Sequence, residues 1–155
     1  MSAQLLPVTA RSAWSEDEIA AYFVRTPTPL RLAVMHKGAP MICSLWYLYD
    51  AGQLWCATQA DALVVRALRA DLACGFEVAN NQPPYCGVRG QGQVEVHEHG
   101  GLAMLERLIH RYLGGTDTSF AQWLLNREEP EVALAIRPSW ITAWDYTGRM
   151  HGAKK

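Results

Sequence analysis

The stretch from Gly87 to His99 constrains the fold more than any other part of the chain. Val88, Val94 and Val96 recur on one side of an extended backbone, while Arg89, Gln91, Gln93, Glu95, His97 and His99 fall on the other. Side chains of a strand alternate between faces with a period of two, so this pattern demands a sheet with one apolar and one wet face. Gly90 and Gly92 inside it mark a bend or a close backbone approach. Further strands are legible on both sides. Leu30 to His36 and Met41 to Tyr49 are β-branched, aromatic or aliphatic, and Lys37-Gly38-Ala39-Pro40 between them is hairpin punctuation. Asp50-Ala51-Gly52-Gln53 turns the chain into Leu54 to Thr58, Cys74 to Val78 alternates cleanly, and Val132 to Arg137 and Trp140 to Tyr146 read as two strands separated by Pro138.

Helices interrupt this series in few places. Ser15 can cap a helix while Glu18 reaches back to its amide, a capping box that predicts a helix from about residue 15 to 24. Thr26-Pro27-Thr28-Pro29 stops it, because proline lacks the amide hydrogen and biases its predecessor away from helix. Ala62, Leu63, Val65, Ala67 and Leu68 suit one face of a short crossover helix ending near Asp71. Leu102, Leu105, Ile109 and Tyr112 recur at helical spacing before Gly114-Gly115, and Phe120 to Asn126 forms a second short helix. Six or seven antiparallel strands with so few helices predict a mainly β architecture, a small β-barrel with α-helices packed outside. Parallel strands would need more crossover helices than the sequence supplies.

The chain of 155 residues carries 14 basic and 15 acidic groups, a formal charge of −1, and is 50% hydrophobic. One domain over residues 1–155 is expected, with the barrel at about 30–146 and a short tail in which Gly152, Lys154 and Lys155 read as frayed. A domain of this length buries about 70% of its unfolded-chain surface, enough to form a core without disulfides or structural metal. Accordingly Cys43, Cys56, Cys74 and Cys86, which show no paired spacing, read as reduced core thiols. A charge near zero removes the attraction on which nonspecific nucleic-acid binders depend, and no apolar run approaches a membrane span or a leader, so a cytoplasmic protein is expected.

The search for chemistry begins with exclusions. Neither a Gly-x-Ser-x-Gly elbow nor a phosphate-cradling P-loop occurs, and Gly87-Val88-Arg89-Gly90-Gln91-Gly92 lies within a strand rather than before a helix. His97 and His99 at alternate strand positions could offer two imidazoles to one ion, which is too few ligands for a site, and the solvated-face alternative is simpler. No metal and no catalytic residue is assigned. The junction Cys56-Ala57-Thr58-Gln59-Ala60-Asp61-Ala62 is more informative, since a helix N-terminus offers unpaired amides to an anion and the Thr58 hydroxyl adds a donor. The alternative is that Asp61 caps the helix itself.

Leu30-Arg31-Leu32-Ala33, Ser44-Leu45-Trp46-Tyr47, Leu54-Trp55-Cys56-Ala57-Thr58, Leu68-Arg69-Ala70-Asp71, Tyr85 to Gly92 and Trp144-Asp145-Tyr146 form an ordered series across roughly Pro29 to Tyr146. In their order and spacing they resemble the pyridoxamine 5'-phosphate oxidase-like family of FMN-binding split β-barrels. The resemblance implies a homodimer with flavin sites at the subunit interface and an oxidoreductase acting on a small-molecule substrate. It also implies that some relatives use a deazaflavin or bind haem. A non-catalytic flavin or haem carrier is the alternative function, with His97, His99 and His110 the residues that motivate haem. By motif position Ser44 and Trp46 would line the flavin ring, Ala57, Thr58 and Ala62 would surround the phosphate, and Arg89 would approach the ligand or the partner subunit. Packing is the competing role for each. Where many relatives carry a cation near the helix start, this chain reads Leu63-Val64-Val65 beside Asp61, which leaves Arg66, one turn on, as the nearest cation.

Overall fold

The computed structural model describes residues 5–152, so the expected frayed ends Lys154 and Lys155 lie outside the described residues. Helix α1 (Glu16–Arg25) begins with the anticipated capping box: the Glu18 amide donates to Ser15 Oγ at 3.3 Å and the Ser15 amide to Glu18 Oε2 at 2.8 Å. Strands β1 (Leu30–His36) and β2 (Ala39–Leu45) form a hairpin whose central residues Lys37 and Gly38 both have positive φ, as a type I′ turn requires. The turn is tighter than expected, which places Pro40 inside β2, an edge strand where its missing amide costs no ladder bond.

The apolar run to Tyr49 does not form one strand. It breaks at Trp46 and Tyr47, and β3 (Leu48–Asp50) then turns through Ala51 and Gly52 into β4 (Gln53–Gln59). Side chains hold the break in place of ladder bonds. The Tyr47 amide donates to Tyr112 Oη at 3.2 Å, and the fully buried Tyr47 phenol donates to the carbonyls of Phe23 and Thr26 at 3.0 and 2.7 Å.

Helix α2 (Leu63–Ala70) follows, then β5 (Ala73–Ala79), β6 (Cys86–His97), α3 (Gly101–Leu113), α4 (Ser119–Leu125), β7 (Glu131–Asp145) and α5 (Thr147–His151), which Gly152 caps. The α2 phase differs from the sequence reading: Val64 is buried and Leu63 exposed. Strand β7 runs straight through Pro138, against the expectation of two strands. A register shift opposite Gln91 and Gly92 makes Ser139 an extra residue, and this bulge absorbs the proline while Ser139 Oγ donates to the Gln91 carbonyl at 3.2 Å. Gly92 has no Cβ because one would run into the Arg137 carbonyl.

The seven strands pair antiparallel throughout, in the order β2-β1-β5-β6-β7-β4-β3, and an isolated parallel bridge joins Val8 to Ile141. The sheet does not close into the expected barrel; β2 and β3 are free edges joined by the Trp46-Tyr47 link. Its inner face, with Leu32, Phe76, Val78, Val88 and Ile141, packs on α1 and α2 in one apolar core. Helices α3 and α4 cover only part of the other face, over Trp55, Ala57 and Ala133. The outer face of β1, β5, β6 and the second half of β7 stays open.

Candidate functional site

Register turns that open face into ordered rows. Antiparallel partners project to the same side, so Ser44, Arg31, Glu77, Arg89 and Thr142 form one transverse row across five strands. The next row is Ile42, Ala33, Gly75, Gln91 and Trp140. Its middle members are small, which sinks a trough between larger neighbours. A Cβ added to Gly75 would find nothing nearer than 3.8 Å, so this floor position is open space rather than packed core. At Gly90, on the opposite side of β6, a Cβ would meet the Phe76 ring at 2.6 Å, so the inner face is closed at the same level.

The resulting groove has a volume of about 630 Å³, with Arg31, Glu77, Arg89 and Trp140 among its walls. That lies within the range of about 300–1,000 Å³ typical of small-molecule sites. Trp140 is fixed by donating its indole N–H to Gln91 Oε1 at 2.9 Å. A second groove of about 580 Å³ continues past Ala33, Gly75 and Gln91 toward Met35 and Gln93. A third, of about 490 Å³, runs the other way from Arg89 and Trp140 to Thr142, Trp144 and Arg11. Arg89 therefore stands where two grooves meet.

The residues singled out from sequence divide among three places. Ser44 is exposed and shares its row with Arg89, about 14 Å away at three strand spacings. Trp46 and Ala57 come together under α3, where Trp46 stacks on Tyr112 with ring centroids 4.9 Å apart and planes 7° from parallel. Thr58 is half-buried in β4, and Ala62 is the N-cap of α2 with no side-chain bond to offer. Asp61 is exposed and does not cap the helix. Val64 packs into the main core and Arg66 is exposed. The guanidinium drawn to the start of α2 is instead that of Arg69, which donates to the Ala60 carbonyl at 3.2 Å and to both oxygens of Glu98 at 3.0 Å. Its charge is balanced there by Glu98.

The histidines do not converge. Strand β6 ends at His97, which leans on Trp55 with Nε2 3.5 Å from Glu95, and His99 lies beyond the strand. All four cysteines are free thiols; burial pushes Cys74 up to about 11 and Cys56 higher still, so both stay protonated at neutral pH. Sequence reasoning missed Arg31, Gly75 and Trp140 as a group because only the register of β1, β5, β6 and β7 assembles them. No described helix is long and apolar enough to cross a membrane.

No protein-family model and no curated protein sequence matches this chain. Solved structures do. The crystal structure of conserved hypothetical protein Rv2991 from Mycobacterium tuberculosis is 25% identical with a TM-score of 0.74, covering 95% of this chain and 93% of that one. A protein described as an F420 reductase is 21% identical with a TM-score of 0.64 over 77% of this chain and 93% of its own. A putative pyridoxamine 5'-phosphate oxidase from Listeria innocua is 14% identical with a TM-score of 0.62, over 84% and 97%. The fold is that of the pyridoxamine 5'-phosphate oxidase-like proteins. In this split-barrel frame the open face of β1, β5, β6 and β7 carries the two largest of the grooves described above.

Proposed function

We propose that this chain binds a flavin, FMN in the first instance, in the trough over Ala33 and Gly75, and acts as a flavin-dependent oxidoreductase on a small organic molecule. The observation that carries the reading is the trough itself: a groove of about 630 Å³, open at Gly75, with an indole, two guanidiniums and the Glu77 carboxylate along its walls. A planar tricycle fits such a floor better than a branched ligand does. When bound, the flavin supplies hydride or electron transfer, and the protein supplies orientation and electrostatics. Trp140, held by Gln91, would set the ring's lateral position, while Arg31 and Arg89 would orient its polar edge. Trp46 and Ala57 serve the packing of α3 in this reading, and Ser44 and Arg89 keep ligand-facing roles.

A second copy of the chain would complete the site as a homodimer. Ile42, 70% exposed, and Met35, 39% exposed, rim an uncovered sheet face that solvent alone would otherwise wet. A deazaflavin is the alternative occupant, favoured by likeness to the F420 reductase. Haem is the further alternative, tested by whether haemin titration produces a Soret band. The deciding experiment incubates purified protein with FMN, removes free ligand and records the visible spectrum. Retained flavin that a nicotinamide donor reduces, with turnover on a substrate panel, supports the enzyme. Retained flavin without turnover supports a carrier, and colourless protein overturns the proposal.

A further inference from the structure

We infer that the groove between the N-terminal turn and the ends of β6 and β7 is an anion-binding site, taking the phosphate or carboxylate end of the ligand whose ring occupies the trough. The inference rests on the proposed reading for the ring, but its own grounds are independent of it. The groove, about 490 Å³, is lined by Arg11, Arg89, Thr142 and Trp144, and none of its lining residues is acidic. Among the described residues neither Arg11 nor Arg89 has a carboxylate within 4.0 Å, whereas Arg69 and Arg107 are both paired. Glu77, the cross-strand neighbour of Arg89, lines the trough and not this groove. Two guanidiniums without an ion-pair partner in a groove with no acidic lining present hydrogen bonds that an anion completes, and charge-assisted bonds of this kind are the strong ones.

The groove is built rather than incidental. The Thr9 amide donates to the Ile141 carbonyl at 2.9 Å and the Ala13 amide to that of Ala143 at 3.0 Å, which pins both ends of the turn carrying Arg11. The Ser12 amide closes that turn onto the Thr9 carbonyl at 3.1 Å. The backbone at Arg11 is thereby held beside strand β7, while its side chain stays exposed. Arg89 links the two grooves, so a ligand with a flat head and an anionic tail would span them in one pose. The site also answers what the start of α2 leaves unmet, since the cation there is already neutralised by Glu98.

Equilibrium titration of FMN and riboflavin against the full chain, followed by flavin fluorescence, tests this. FMN should bind at least about tenfold more tightly than riboflavin. The variant Arg11→Gln, which leaves Arg89 in place on the ring, should erase most of that advantage while its riboflavin affinity stays at the wild-type value. Equal affinities in the wild type would overturn the anion site and leave the ring reading standing. If neither flavin binds, the ring reading fails, and pyrophosphate at low salt becomes the probe. A rise in Tm for the wild type that Arg11→Gln lacks would then support the anion site alone, and no rise in the wild type would overturn it.

Discussion

Arg111 offers the sharpest test of how the two ends of the fold are joined. It projects from the last turn of α3 and ends against the C-terminus of α1, donating to the carbonyls of Val24 and Phe23 at 2.7 Å and of Thr26 at 3.1 Å. Its guanidinium also lies 5.1 Å from the Tyr47 ring centroid and 5.7 Å from that of Tyr112. A helix leaves its final carbonyls unpaired, and a cation there also opposes the macrodipole. Consider Arg111→Met, which keeps much of the aliphatic stem and removes the charge. The bond to Val24 is exposed and water replaces it at little cost. The two part-buried bonds are worth roughly 1.5 kcal/mol each at the low end for charged donors. Tyr47 retains a bond to both of those carbonyls, which reduces the loss. The expected destabilisation is about 2–3 kcal/mol, or a fall in Tm of roughly 5–10 °C for a chain of this size. Arg111→Lys keeps the charge without the planar fork and should lose about half as much. Urea unfolding with an unchanged slope and a lower midpoint is the readout. A methionine variant within about 0.5 kcal/mol of wild type would refute the clamp, because that is the range of an ordinary surface substitution.

Two further outcomes follow from burial. Glu131, beside Arg127 and 9% exposed, has its carboxyl raised above the ordinary value by desolvation, which outweighs the pull of Arg127. A raised carboxyl binds its proton more tightly in the folded state, so its favourable contribution is full at acid pH and lost as pH rises through the folded value. The stability of wild type relative to Glu131→Gln should therefore fall on going from about pH 4 to pH 7, measured by urea midpoints, and a flat or rising difference would refute it. Cys56 and Cys74, both buried with raised thiols, should resist a disulfide reagent at pH 8 until the chain unfolds; rapid labelling of either in native protein would contradict the packing.

Local rules made much of the fold legible. Ser15 and Glu18 announced α1, and the alternation of Cys74, Phe76 and Val78 announced β5 and its buried face. Elsewhere one signal concealed another. Pro138 is a strand breaker by local rule, yet the bulge at Ser139 lets β7 continue, and only pairing with β6 reveals that. The break at Trp46 and Tyr47 hides in an apolar run, because Tyr112 and the end of α1, distant in sequence, supply what the ladder lacks. Phase decided α2, where the burial of Val64 leaves no room for a charged side chain at that position. The candidate site was the least legible part. Arg89 stood out within its strand, but Arg11, Arg31, Gly75 and Trp140 come together only through the register of strands and the pinning of the N-terminal turn.

The trough over Gly75 is the centre of this account, and filling it is the direct test. A Cβ at this position meets Ala33 and the Gly90 carbonyl at 3.8 Å, ordinary contact, and the rest of a leucine would extend into the groove, so Gly75→Leu should fold with an unchanged or slightly higher urea midpoint. Calorimetric titration with FMN should show saturable binding of one ligand per protomer in the wild type and a loss of more than about tenfold in affinity in the leucine variant. Equal affinity in the two proteins, or no saturable binding by the wild type, would contradict it.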